Sequence, residues 1–113
     1  MLNQIILVGR LVKDPEVNTA KNGNTYSHIT LAIPRSYKNV NGEYETDFID
    51  CVLWDSVARS TTEYCHKGDI VGVKGRIQSE VVEKDNTKKY YINVVAERVT
   101  FLSSNNSSKK ADE

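Results

Sequence analysis

Apolar positions along this chain recur mostly with a period of two. Ile5 to Val12 is a β-rich apolar run closed by the turn pair Asp14-Pro15, and Gly9 inside it marks a bulge or a bend where a barrel closes. Lys21-Asn22-Gly23-Asn24 signals a hairpin. From Thr25 to Ser36, Tyr26, His28, Thr30 and Ala32 fall on one face and Ile29, Leu31 and Ile33 on the other. Pro34 has no N–H for a ladder, so that end of the strand is expected at an edge or a bulge. Asn39 to Glu45, with Asn41-Gly42, reads as a loop. Thr46 to Trp54 alternates again, with Phe48, Asp50, Val52 and Trp54 opposite Ile49, Cys51 and Leu53.

The period then changes. Val57, Ala58, Thr61, Tyr64 and Cys65 recur at helical spacing, Asp55 can cap the start and Lys67-Gly68 can end the helix. Ile70 to Val82 is a fourth strand with bends expected at Gly72 and Gly75, Asp85-Asn86 turns the chain, and Tyr90 to Leu102 is a fifth. Three strands, a helix and two strands predict an all-β domain with one short helix. That is the order of an OB-fold, a five-stranded Greek-key barrel with its helix between strands three and four. Closing the sheet buries one apolar face of every strand and removes exposed edges. The open face and loops are left to bind oligonucleotides or oligosaccharides. The domain is expected over residues 1–102. Residues 103–113 are polar without an apolar anchor and read as a disordered tail.

A chain of 113 residues suits a single domain. Its formal net charge is zero, which by itself does not point to nucleic acid. The charge is unevenly distributed, however. Residues 1–40 and 67–102 are basic on balance, whereas 41–66 set Arg59 against six carboxylates. Met1 to Gln4 has no positive n-region and no run approaches the ~18 apolar residues of a membrane span, so a cytoplasmic protein is expected. Cys51 and Cys65 then read as buried thiols. No P-loop, GxGxxG or GxSxG occurs, and Cys51, Cys65, His28 and His66 lack metal-ligand spacing. No enzyme and no cofactor is expected.

The positive signal is aromatic residues set beside basic ones. Tyr37 lies in Arg35-Ser36-Tyr37-Lys38, and Phe48 and Trp54 lie on the third strand. Every base has a flat polarisable face, so aromatic stacking gives affinity without reading sequence, while Lys and Arg neutralise phosphates.

The run Asn3-Gln4-Ile5-Ile6-Leu7-Val8-Gly9-Arg10-Leu11, Asp14-Pro15-Glu16, Ile29-Thr30-Leu31-Ala32, Val52-Leu53-Trp54, Tyr64-Cys65-His66-Lys67-Gly68 and Val71-Gly72-Val73-Lys74-Gly75-Arg76-Ile77 resembles, in order and spacing, the bacterial-type single-stranded DNA-binding proteins. The likeness covers about residues 3–102. It implies an OB-fold, a homotetramer, and single-stranded DNA wrapped over aromatic platforms and basic residues. Tyr37, Phe48 and Trp54 match the family's stacking positions, and Lys67 matches a basic position near the DNA backbone. Arg10, Arg35, Lys38, Lys74 and Arg76 are the other expected phosphate contacts. Ile49 and Val52 are on a strand that could face a neighbouring subunit.

Two departures stand out. The family commonly has an aromatic residue at Val82 and basic residues at Glu80 and Val81. It also usually ends in an acidic tip with an apolar pair, where this chain reads Lys110-Ala111-Asp112-Glu113, so recruitment of other proteins through the C-terminus is not expected. The resemblance implies binding and protection of single-stranded DNA in replication, recombination, repair or DNA uptake. The alternative is an OB-fold interaction module of a replication or restart complex that binds nucleic acid weakly.

Overall fold

The structure, a computed structural model, describes residues 1–104. Its elements are β1 (Ile5–Leu11), β2 (Asn18–Thr19), β3 (Thr25–Lys38), β4 (Tyr44–Trp54), α1 (Asp55–Tyr64), β5 (Ile70–Lys84) and β6 (Thr87–Ser103). Alternation along the strands decides what is inside. Ile29 and Leu31 of β3, Cys51 and Leu53 of β4, Val71 and Val73 of β5, and Val94 and Ala96 of β6 form the core with Leu11 of β1 and Ala58 of α1. Strand neighbours run β1-β5-β6-β4-β3-β2, and a second pairing of β1 with β3 closes the sheet. The closed barrel of β1, β3, β4, β5 and β6, with α1 between β4 and β5, is the OB-fold. The short β2, paired with β3 through the hairpin at Gly23, is an addition that alternation could not reveal in so few residues.

Closure depends on Gly9. Up to Arg10, β1 pairs with β5, and from Arg10 it also pairs with β3. A Cβ on Gly9 would lie 3.0 Å from the Ala32 carbonyl and 2.8 Å from an Ile33 side-chain carbon, so only glycine lets β3 approach this closely. Gly75 sits at a register shift between β5 and β6, as expected. Gly72 does not: it pairs regularly with Val8 and Thr100, and a side chain there would meet only ordinary contacts. The expected irregularity at Pro34 is present as a register shift between Pro34 and Lys38.

Asp55 is not the helix cap. Trp54 occupies that position in extended conformation, without a side-chain capping bond, and Asp55 turns the corner at φ 50°. Asp tolerates this left-handed conformation better than most residues. The strand therefore runs straight into the helix, leaving Trp54 on the outer face at its end. The helix stops at Cys65, whose N–H donates to the Thr61 carbonyl, before the Lys67-Gly68 stop that the sequence suggested. Tyr64, expected on the helix's apolar face, is exposed.

Two hairpins extend from the barrel. The β3–β4 arm turns through residues 39–43, where Asn39 Oδ1 accepts hydrogen bonds from the N–H groups of Asn41 and Glu43. The β5–β6 arm is longer than predicted at both strands. Residues 77–92 are all exposed, and Asp85 and Asn86 turn at φ 52° and 63° between Lys84 and Thr87. Both turn residues at positive φ make the tight hairpin that follows strand twist. Ser103 belongs to β6, and the remainder of the predicted tail, beyond Ser104, lies outside the described residues.

Candidate nucleic-acid interface

The outer face of β3 and β4 carries the aromatic cluster. Register places Tyr26 opposite Trp54, His28 opposite Val52 and Thr30 opposite Asp50. The Tyr26 and Trp54 ring centroids are 5.5 Å apart with planes at 45°, and Tyr26 meets His28 edge-on at 5.4 Å. Trp54, 40% exposed, is thus braced on one side and open on another.

Next to this cluster, β4 pairs in parallel with β6, and β6 pairs with β5. The result is an open groove of about 590 Å³ running from Lys21, Tyr26, His28 and Trp54 across Asp50, Val52 and Val95 to Arg76, Gln78, Glu80 and Asn93. Its polar groups are partly engaged, with one another or with a neighbour on β3. Thr30 donates its hydroxyl to Asp50 at 2.6 Å, Arg76 Nη1 donates to Gln78 at 2.7 Å, and Asn93 Nδ2 donates to Glu80 at 3.0 Å. Lys21 and Arg76 supply positive charge, and Asp50 and Glu80 oppose it.

Of the expected site residues, Trp54 and Arg76 meet in this groove. Phe48, 65% exposed, lies on the same outer face of β4, six positions from Trp54 and therefore about 20 Å along the strand. It shares a cross-strand row with Ala32 and, beyond it, Arg10. Arg10 and Lys67 are brought together at the end of β1. Arg10 Nη1 donates to the Gly68 carbonyl at 2.8 Å, and the Lys67 N–H donates to Asp14 at 2.7 Å. Lys74 is elsewhere, in a row between Ile6 and Arg98 and outside the groove lining.

Tyr37, 65% exposed, is on the β3–β4 arm, where Lys38 Nζ lies 5.7 Å from the Tyr44 ring centroid. Arg35 is held by carboxylates: it donates to Glu45 at 2.6 Å and to Asp47 at 2.9 Å and 3.2 Å. The hydrogen bond and charge of Asp47 hold Arg35 more firmly protonated than usual. The same Arg35 hydrogen bond pulls the Asp47 carboxyl below its usual range.

Cys51 and Cys65 are free, buried thiols. Burial, with a smaller contribution from Asp50, pushes Cys51 up to about 11. Among the described residues no cluster of His, Cys, Asp or Glu could hold a metal, and no helix is long and apolar enough to cross a membrane.

The sequence reading missed Lys21, Tyr26, His28 and Asn93 as groove residues. Alternation put Tyr26 and His28 on an outward face, but only the β3–β4 register shows that this is Trp54's face. Asn93 required the parallel β4–β6 pairing, which joins strands separated by the helix and β5.

A closed OB barrel whose open face combines a braced tryptophan, further exposed aromatics and flanking cations is built like an oligonucleotide-binding barrel. Residues 2–102 match the single-strand binding protein family, and the chain belongs to it. It is 43% identical over 113 residues to single-stranded DNA-binding protein B of Bacillus subtilis (strain 168), covering 99% of this chain and 100% of that protein. It is 44% identical over 117 residues to single-stranded DNA-binding protein 3 of Clostridium acetobutylicum, covering 99% of this chain and 81% of the relative. Against the single-stranded DNA-binding protein of Bacillus cereus it is 43% identical over 107 residues, which are 94% of this chain and 63% of the longer relative.

Proposed function

We propose that this protein binds single-stranded DNA without sequence preference, keeps it unpaired and shields it from nucleases, and that it catalyses no reaction. The observation that carries this reading is the groove in which Trp54, braced by Tyr26, faces the same channel as Lys21 and Arg76. In this reading Trp54, Phe48 and Tyr37 stack on bases, and Arg76, Lys67, Arg10, Lys38 and Lys74 neutralise phosphates. Arg35 reaches a phosphate only by giving up Asp47 and Glu45, so we assign it to holding the arm that presents Tyr37. The protein acts in the cytoplasm, in replication, recombination, repair or DNA uptake.

The test is oligo-dT binding, read by anisotropy of a labelled strand at several salt concentrations. Affinity is expected to fall with a log–log slope of about −0.7 per phosphate neutralised. Arg76→Ala and Lys67→Ala each make that slope shallower by about 0.7. A flat salt response contradicts the reading and favours an interaction module.

The binding unit is proposed to be a homotetramer. Ile49 and Val52 are unsuited to the interface: Ile49 packs against the core and Val52 lines the groove. Support comes from another face. Ile6 and Val8 of β1 are 70% and 53% exposed and Leu102 of β6 is 51% exposed, with Gly72 of β5 beside Leu102 and opposite Val8. An uncovered apolar surface of this kind suits association with further copies. Light scattering at micromolar concentration is expected to give the mass of four chains, and Val8→Glu the mass of fewer. A parent protein with the mass of one chain contradicts the assembly.

A further inference from the structure

Where β1 ends, its pairing with β5 is continued by a side chain. Backbone pairing of the two strands runs from Arg10 opposite Ile70 to Ile5 opposite Gly75, and the same register carried two residues further sets Asn3 opposite Ile77. There the Asn3 amide makes both bonds of a ladder pair. Its Nδ2 donates to the Ile77 carbonyl at 2.7 Å, and the Ile77 N–H donates to its Oδ1 at 2.9 Å. A side-chain amide carries a carbonyl acceptor and an NH2 donor, so it stands in for a peptide unit. An alanine at this position has neither.

The clamp sits where β5 loses a neighbour. As far as Gly75, β5 is flanked by β1 and β6, and at Gly75 its pairing with β6 shifts register. Beyond that point its backbone pairs with β6 alone, and a two-stranded ribbon has little stability of its own. Asn3 ties the edge that β6 leaves open. On either side of Ile77 are Arg76 and Gln78, which line the groove and are joined by a 2.7 Å hydrogen bond. Side chains alternate along a strand, so holding Ile77 by its backbone fixes the direction in which both neighbours project. Asn3 itself is outside the groove lining.

We propose that Asn3 is a positioning residue for DNA binding: it clamps β5 at Ile77 and so holds Arg76 where it meets a phosphate in the groove. The role rests on the single-stranded DNA reading and on Arg76 as a phosphate contact within it. Both clamp bonds are at the surface, so the barrel is expected to fold without them.

Labelled oligo-dT is titrated at several salt concentrations with the full chain, Asn3→Ala, Arg76→Ala and the double variant. Circular dichroism and melting verify that each is folded. Asn3→Ala is expected to weaken binding roughly three- to tenfold and to make the salt slope shallower by up to about 0.7, the share of one phosphate. In the Arg76→Ala background the same change is expected to cost less than about twofold, because the cation it positions is gone. Amide hydrogen exchange reads the clamp without DNA. The Ile77 N–H is expected to exchange about tenfold faster or more in Asn3→Ala, while Val71 and Val73 in the barrel exchange as in the parent. A general loss of stability would instead speed the barrel amides and leave the salt slope alone. An Ile77 amide that exchanges as in the parent overturns the clamp. A folded Asn3→Ala protein with the parent's affinity and slope, or one whose loss adds in full to that of Arg76→Ala, overturns the positioning role while the DNA reading stands. An Arg76→Ala protein that binds like the parent removes the route through which Asn3 acts and overturns it too. A parent protein that does not bind oligo-dT overturns both readings.

Discussion

Trp54→Ala is expected to weaken oligo-dT binding by about 3 kcal/mol, the upper end of the range for losing one base–aromatic stack. Two effects combine. The indole leaves the groove, and with it goes the surface on which a base would lie. Its neighbour Tyr26, 5.5 Å away, loses the ring that braces it. A braced ring loses little freedom on binding, so removing the brace costs affinity beyond the lost contact. Trp54→Phe retains a ring at the same strand position and is expected to lose under about 1 kcal/mol. Anisotropy of a labelled strand separates the two variants, and circular dichroism establishes that both are folded. A folded Trp54→Ala protein that binds like the parent would remove Trp54 from the site.

Gly75→Ala is expected to lower stability by about 3 kcal/mol or more, among the larger effects of single substitutions. A Cβ at Gly75 would lie 2.1 Å from the Val95 carbonyl oxygen and 3.1 Å from Ala96 Cα. Both are backbone atoms of β6, so no side-chain rotation relieves the clash. The β5–β6 ladder would have to open at its register shift, where the arm leaves the barrel. For a domain of this size the loss corresponds to a fall in Tm of roughly 12 °C or more. Gly72→Ala is the control. Its nearest contact would be Leu102 Cδ1 at 3.6 Å, an ordinary distance, and its effect is expected within about 1 kcal/mol. Urea denaturation of the two variants measures the difference. Equal stabilities would mean that the ladder does not pass Gly75 this closely.

The strands that form the barrel were legible because one face of each is buried, which stamps a period of two on the sequence. Leu31 between Thr30 and Ala32, and Cys51 between Asp50 and Val52, are examples. The arms were legible only in part. Lys84, Lys88 and Lys89 are exposed strand residues and carry no apolar alternation, so the strands run past their predicted ends. Asp55 as a helix cap was a local rule overridden by geometry, since β4 enters the helix without a loop.

Exposed aromatics were legible where alternation alone puts them on an outer face, as for Trp54 and Phe48. Contacts were not legible where register decides. Arg35 reads as a free cation beside Tyr37 until the β3–β4 pairing sets Asp47 opposite Ile33, within reach of the guanidinium. Likewise Tyr90 and Tyr91 are equivalent as letters, and only the β5–β6 register sets Tyr91 opposite Glu80, which lines the groove.

Trp54 is the only tryptophan in the chain and lines the groove, so its own emission reports occupancy there. Titration of the parent protein with unlabelled oligo-dT is expected to quench that emission to a saturating level, with the midpoint moving to higher DNA concentration as salt is raised. Emission that stays constant through an excess of oligo-dT at low salt would contradict single-stranded DNA binding in this groove.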